Sequence, residues 1–149
     1  MLEGVIVTEL RQIADERGKV MHMLRSDSPV FRGFGEIYFS VVNPGAIKGW
    51  NRHARMTLNY AVPHGRIKLV LYDDRDAGAP GRIEEMLLGT DRYALVTIPP
   101  GIWTSFRGED GGPSIVANCA SLPHDPTEVE RRPLDDPRIA YRWRPAPGA

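Results

Sequence analysis

The chain has 149 residues with 19 basic and 19 acidic side chains, so its formal charge is zero. This length fits a single domain over residues 1–149 that can bury a hydrophobic core without stabilisation by disulfides or metals. The charge balance argues against a surface for nucleic acid or an anionic membrane. The single cysteine, Cys119, excludes an intramolecular disulfide and suits a reducing compartment. Neither a signal peptide nor a membrane-spanning run is visible, and we therefore expect a cytoplasmic protein.

Short segments rich in β-branched and aromatic residues recur along the chain between turn residues such as NPG and PPG. The predicted strands cover residues 5–10, 19–25, 36–42, 46–50, 57–62, 66–73, 83–88, 94–98, 104–108 and 114–120. So many short strands predict an all-β sandwich or barrel. One exception is TEVERR (127–132), which predicts a short helix with Thr127 as N-cap and Glu130 in the capping box.

The segment EIYFSVV (36–42) alternates between polar and apolar residues, so a strand here would have one face of each kind. Glu36, Tyr38 and Ser40 would share the polar face, and Ile37, Phe39 and Val41 the apolar face. The polar face either meets solvent or lines the mouth of a ligand cavity, and the pattern leaves both interpretations open.

Five segments occur in an order and spacing that resemble the dTDP-4-dehydrorhamnose 3,5-epimerase family of cupins. They are DERG (15–18), KGWNRH (48–53), IPPG (98–101), PHDPTE (123–128) and LDDPRIAYRW (134–143). The resemblance implies a double-stranded β-helix, the jelly-roll barrel of cupins. It also implies a homodimer that exchanges N-terminal strands, a nucleotide-sugar ligand, and neither metal nor organic cofactor.

The reaction that the resemblance implies removes a proton beside the keto group of a 4-keto-6-deoxy sugar and returns it on the other face. A base must lie within about 3 Å of that proton with a tuned pKa. The enolate needs a cation or hydrogen-bond donors at its oxygen. An acid on the opposite face must then protonate the carbon.

Carried over from the family, these catalytic roles fall on residues that match only in part. Lys48 stands at the position of an arginine, and Asn51 at the position of the histidine base. Asp136 matches the aspartate that orients the base, whereas Asn118 stands where the family has its tyrosine acid. Thr104 replaces a second histidine that follows the PPG turn.

The binding residues that the resemblance implies are largely kept. Arg17 matches a phosphate-contacting arginine that often reaches across the dimer, and Glu36 and Tyr38 match residues that contact the nucleotide. His22 stands at the position of a glutamate. Trp50 either stacks on the base or sugar or belongs to the core.

Amides have no useful basicity, so Asn51 and Asn118 cannot act as base and acid. On a strand, His53 would point to the same side as Asn51, about 6.6 Å further along. His53 is therefore the first candidate for a displaced base, oriented by Asp136 or a water molecule, and His22 is the second.

Three functions remain open from the sequence. The leading one is an epimerase-like protein of deoxysugar biosynthesis acting on a nucleotide-linked 4-keto-6-deoxyhexose. The alternatives are a ketoisomerase or single-centre epimerase of the same fold, and a non-catalytic nucleotide-sugar-binding cupin. The positions at which other cupins hold a metal carry Asn51, His53, Thr57 and Thr104, and one imidazole does not make a metal site.

Overall fold

The structure is a computed structural model and describes residues 1–145. The strands found there, in chain order, are β1 (Ile6–Glu9), β2 (Gln12–Asp15), β3 (Gly18–Met21), β4 (Glu36–Val42), β5 (Ile47–His53), β6 (Leu58–His64), β7 (Arg66–Asp73), β8 (Arg82–Gly89), β9 (Ala94–Ile98), β10 (Trp103–Gly108), β11 (Ser114–Ala120) and β12 (Val129–Arg131). Within these residues no helix is long and apolar enough to cross a membrane.

Ten of the strands form two antiparallel five-stranded sheets, which we call sheets I and II. Sheet I has the order β1-β9-β6-β11-β4, and sheet II has the order β12-β5-β10-β7-β8. A continuous apolar core fills the space between them and includes Leu58, Val96, Ile67 and Phe106. This arrangement confirms the predicted all-β jelly-roll fold.

A second apolar cluster lies on the outer face of sheet II. Trp50 and Trp103 are fully buried there beneath Ile139 of the C-terminal segment. The guanidinium groups of Arg52 and Arg132 lie 4.6 and 4.2 Å from the Trp103 ring centroid. Because Trp50 packs in this outer cluster, its face of β5 points away from the barrel, and the residues on the other face of β5 point into the barrel interior.

Strands β2 and β3 pair only with each other and form a hairpin whose residues are almost all exposed. Ile13 and Val20 are exposed on it, although both are large apolar residues. Strand β2 was not predicted, and the predicted strand over 19–25 is shortened to Gly18–Met21. An isolated two-stranded hairpin has little stability in water, so this one needs a surface to pack against.

The helix predicted over 127–132 is wrong, because Val129–Arg131 forms β12 on the edge of sheet II. Thr127 is not an N-cap: its backbone N–H and hydroxyl both donate to Asp125 in a turn before the strand. The open edge of β5 offers backbone hydrogen bonds that the segment satisfies as a strand, and this tertiary pairing overrides the local capping pattern.

Candidate active site

Lys48 and Asn51 of the KGWNRH segment both face the barrel interior because β5 carries a bulge. Lys48 lies opposite Phe106, a core residue, and Asn51 lies opposite Thr104 on β10. The register shifts between Thr104 and Ser105, which inserts one extra residue on β5. Without this bulge, residues three apart on a strand would point to opposite faces.

The polar face of β4 also points inward. Ser40 lies opposite Val116, and Tyr38 lies opposite Asn118, which in turn pairs with Tyr60. Val116 and Tyr60 belong to the core, so their cross-strand neighbours share the inner face of sheet I. The polar face of β4 is therefore the inner face of sheet I rather than its outer surface.

The apolar face of β4 is consequently turned to the outside of the barrel. Ile37, Phe39 and Val41 are 49, 64 and 53% exposed. Large apolar side chains in one exposed row are typical of an interaction surface.

The inner faces of the two sheets meet at a polar contact. The Lys48 ammonium donates to the Ser40 hydroxyl across a distance of 2.8 Å, joining β5 to β4. Glu36 begins β4 on the same inner face as Tyr38. The site thus combines one ammonium with hydroxyl and amide groups between the edges of sheets I and II.

Asn118 is held in place by two hydrogen bonds. Its side-chain oxygen accepts from the backbone N–H of Asn59 at 3.1 Å, and its amide nitrogen donates to the Tyr38 hydroxyl at 3.0 Å. The Asn118 side chain therefore links β11 to both of its neighbours, β6 and β4.

His53 pairs with a carboxylate that the sequence analysis did not predict. Its Nδ1 contacts the Glu128 carboxylate, and Glu128 also accepts the backbone N–H groups of Arg55 and Met56 at 3.0 and 3.1 Å. The His53 side chain keeps 13% of its exposure, whereas that of Glu128 keeps 2%. A carboxylate at Nδ1 holds the proton there and leaves Nε2 as the acceptor nitrogen.

The electrostatics of the pair keep Glu128 ionised. Burial raises the pKa of Glu128, but the hydrogen bonds from His53, Arg55 and Met56 outweigh burial and lower this pKa overall. An ionised carboxylate beside an imidazole stabilises the imidazolium that forms when the ring accepts a proton.

Asp136, which was expected to orient the base, binds another residue. Its carboxylate accepts three hydrogen bonds from Arg138, from the backbone N–H at 2.9 Å, from Nε at 3.0 Å and from Nη2 at 2.7 Å. These contacts lower the pKa of Asp136 to about 2. The structure thus corrects the expected pairing: Glu128 orients His53, while Asp136 closes a turn in the C-terminal segment.

This role predicts a pH-dependent stability effect. A lowered pKa stabilises the folded state above the unfolded value of 3.8, and the effect is lost as the pH falls through about 2. Asp136→Asn should therefore lower the free energy of unfolding near pH 7, and the loss should shrink towards pH 2. Urea denaturation followed by tryptophan fluorescence measures this, with the exposed Asp110→Asn as control. A loss of equal size at both pH values would contradict this role.

Trp50 is corrected as well, because it lies in the outer cluster and is completely buried away from the cavity. Thr104 is on the inner face, where its hydroxyl donates to the backbone oxygen of Asn51 at 3.3 Å. Arg17 and His22 belong to the protruding hairpin and its end, and Arg17 pairs with Asp15 of the same hairpin. Within one chain the structure does not bring these two residues to the inner-face group.

A separate cavity lies away from this site. It measures about 800 Å³ and lies at the edge of β8, where Arg66, Lys68, Glu84 and Arg107 are among its lining residues. Two of its cations pair with acids, Lys68 with Glu85 at 2.9 Å and Arg107 with Glu109 at 2.7 Å. Among residues 1–145, no group of three or more His, Cys, Asp or Glu side chains is placed to hold a metal ion.

Sequence reasoning missed Glu128 because its segment was interpreted as a helix. The only local signal was its place at the end of PHDPTE, one of the five family-like segments. The contact with His53 depends on β12 pairing with β5, where Val129 lies opposite His53. Such a contact, between residues 75 positions apart, has no signature in local sequence.

Known proteins resemble this chain over nearly its whole length. A dTDP sugar isomerase from Desulfovibrio desulfuricans is 49% identical and superposes with a TM-score of 0.90, covering 95% of this chain and 91% of that one. A probable low-salt glycan biosynthesis epimerase, Agl13 of Haloferax volcanii, is 33% identical over 147 residues, or 95% of this chain and 94% of that protein.

More distant structures share the fold. The RmlC epimerase of Mycobacterium tuberculosis is 19% identical, with a TM-score of 0.85 over 99% of this chain and 78% of that one. No protein-family model matches the chain.

Proposed function

The chain belongs to the dTDP-4-dehydrorhamnose 3,5-epimerase family of cupins, and we propose that it inverts a carbon beside the keto group of a nucleotide-linked 4-keto-6-deoxyhexose. The observation that carries this proposal is the His53–Glu128 pair at the inner face of β5. It supplies a carboxylate-oriented imidazole two residues beyond the position where the family has its base. The name of the dTDP sugar isomerase supports a nucleotide-linked sugar as the substrate, and that of the glycan biosynthesis epimerase supports epimerisation.

In the proposed reaction, Nε2 of His53 takes the proton from the sugar carbon beside the ketone. The electron pair of that C–H bond forms a carbon–carbon double bond, and the ketone oxygen becomes an enolate oxygen. The Lys48 ammonium, which reaches across the mouth to Ser40, is placed to stabilise this negative charge. Glu128 compensates the positive charge that His53 gains, so both charges formed in the step have a partner.

The non-catalytic alternative is disfavoured by this pair. Burying a carboxylate costs free energy unless it is matched, and Glu128 is buried while it holds the imidazole of His53 on the inner face of β5. A binding protein needs no such base. The ketoisomerase alternative uses the same first proton transfer. It then protonates the former keto carbon, and the neighbouring hydroxyl loses its proton to become the new ketone, whereas epimerisation returns a proton to the same carbon on its other face.

The test is incubation of the protein with dTDP-4-keto-6-deoxyglucose in heavy water, followed by NMR. We expect deuterium at C3 or C5 together with an inverted configuration at the exchanged carbon. Deuterium with a keto group moved to a neighbouring carbon would assign the ketoisomerase reaction instead. Intact dTDP binding without any exchange would contradict both and leave a binding protein.

We also propose that two copies of the chain assemble through sheet I. The exposed row of Ile37, Phe39 and Val41 and the unsupported β2–β3 hairpin are the two features that a second copy would cover. The expected exchange of the strand over 5–10 is revised, because β1 pairs with β9 of the same chain. The hairpin is the better candidate for crossing to the partner, and it would carry Arg17 with it.

Phe39→Asp tests this assembly. Phe39 is exposed in the single chain, so the change leaves the barrel intact but would place an unpaired charge inside the interface. Such a charge costs several kcal/mol, and the dimer dissociation constant should rise by at least about 100-fold. Light scattering and sedimentation measure it, with Leu87→Asp on sheet II as the matched control. A wild type that stays monomeric at high concentration would exclude the dimer.

A further inference from the structure

The reaction proposed above requires a proton donor on the sugar face opposite His53, and Asn118 cannot be that donor. His53 belongs to sheet II, so a donor for the opposite face has to come from sheet I across the barrel. Lys48 is on the same strand as His53 and therefore on the same side as the base. The donor is therefore expected on the inner face of sheet I.

Four hydroxyl groups lie on that face: those of Tyr38, Ser40, Tyr60 and Ser114. The Ser114 hydroxyl is held by the backbone of Arg66, since it accepts from the N–H at 2.9 Å and donates to the carbonyl oxygen at 3.0 Å. Ser40 holds Lys48, and an aliphatic alcohol is a weak proton donor. Tyr60 is 6% exposed and packs edge-on against Phe106 in the core. Tyr60 is therefore a core residue, and burial raises its pKa strongly.

Tyr38 differs from the other three in exposure and in hydrogen bonding. It is 41% exposed at the edge strand β4, where a ligand entering the mouth would reach it. Its hydroxyl oxygen accepts from the Asn118 amide at 3.0 Å. Since Asn118 donates this bond, the phenol proton is free to point to another acceptor in the cavity.

From this geometry we infer that Tyr38 is the catalytic acid of the proposed reaction and that Asn118 positions it. The Tyr38 phenol would do the work of the tyrosine that the family has at position 118, and residue 118 is the cross-strand neighbour of Tyr38. This inference rests on the proposed function, because it assigns the second of that reaction's two proton transfers.

The second proton transfer turns the enolate back into a ketone. The enolate carbon takes the proton from the Tyr38 hydroxyl, the electron pair of the double bond forms the new C–H bond, and the enolate oxygen returns to a ketone. Tyr38 is left as a phenolate and His53 as an imidazolium. Proton exchange with water restores both, so no oxidant, reductant or cofactor is consumed.

Tyr38→Phe separates the two transfers. The base should still remove the substrate proton, exchange it with heavy water and return deuterium to the same face. We expect deuterium incorporation to stay within about tenfold of wild type, while inversion falls by about 10²–10⁴-fold. Tyr72→Phe is the matched control, because its hydroxyl contacts the backbone oxygen of Arg138 on the outer face of sheet II. It should leave both rates unchanged.

Three other outcomes would overturn either the role of Tyr38 or the proposed function. Inversion by Tyr38→Phe at the wild-type rate overturns the inference and leaves the proposed function standing. Loss of both exchange and inversion with intact dTDP affinity places Tyr38 in the first transfer and also overturns it. A wild type that neither exchanges nor inverts overturns the proposed function itself.

A second measurement does not remove the hydroxyl. Replacing Tyr38 with 3-fluorotyrosine makes the phenol more acidic at nearly unchanged size. The decline of the inversion rate at high pH should then begin at lower pH, because the donor must carry its proton. A profile identical to wild type would contradict Tyr38 as the acid.

Discussion

Replacing His53 with asparagine is expected to lower deuterium incorporation at the sugar carbon by about 10²–10⁴-fold, the usual contribution of a positioned general base. The change removes the imidazole but keeps a polar side chain of similar reach. His53 is mostly buried against Glu128, so the mutant tests the base and its carboxylate partner together. Exchange rates from NMR in heavy water give the result.

The control for this experiment is His64→Asn. His64 is exposed at the end of β6, and Ile115 on β11 is its register partner. It should exchange at the wild-type rate. Calorimetry with dTDP should give affinities within a few fold for wild type and both variants, since the nucleotide is expected to contact other residues. Unchanged exchange in His53→Asn would move the base elsewhere, and His22 would be tested next.

Replacing Glu128 with glutamine should lower exchange by about 10²–10⁴-fold, comparable to losing the carboxylate of a catalytic triad. The glutamine oxygen can still accept from the Arg55 and Met56 backbone N–H groups. Its NH₂ group must then face Nδ1 of His53, which forces the imidazole proton onto Nε2. A ring with its proton on Nε2 cannot accept one from the substrate.

The same variant has a stability readout with a definite sign. The pKa of Glu128 is lowered from its ordinary 4.5, so its ionised form stabilises the fold above that value and loses this effect as the pH falls. The stability gap between wild type and Glu128→Gln should therefore close on acidification. Glu130→Gln is the control, since Glu130 pairs with Arg52 rather than with His53. Wild-type exchange in Glu128→Gln would mean that the pair is only structural.

The sequence predicted nine of the ten strands of sheets I and II, all but β12, because their signals are local. Segments such as RIKLVLYD (66–73) combine β-branched residues with flanking turns, and β7 has those bounds. The short helix failed because a weak capping pattern was outweighed by pairing with β5. Strand β2 was missed because QIAD has little β-propensity and is a strand only as half of a hairpin.

The candidate site was predicted only in part, because only some of its residues have a signal in the local sequence. Lys48, Asn51, Tyr38 and His53 were placed on cavity-facing strands from period-two alternation and family resemblance. Alternation alone would have put Lys48 and Asn51 on opposite faces, since only the bulge reconciles them. The partner of His53 was out of reach because long-range contacts depend on register between distant strands.

The most direct measurement is a crystal structure of the His53→Asn variant with dTDP-4-keto-6-deoxyglucose, which this variant should leave unreacted. Our account predicts the sugar between β4 and β5, with C3 or C5 about 3–3.5 Å from the place vacated by His53 Nε2. It also predicts the Tyr38 hydroxyl on the other face of the ring. A sugar carbon seated against Asn51, about 6.6 Å from residue 53 along the strand, would contradict a displaced base.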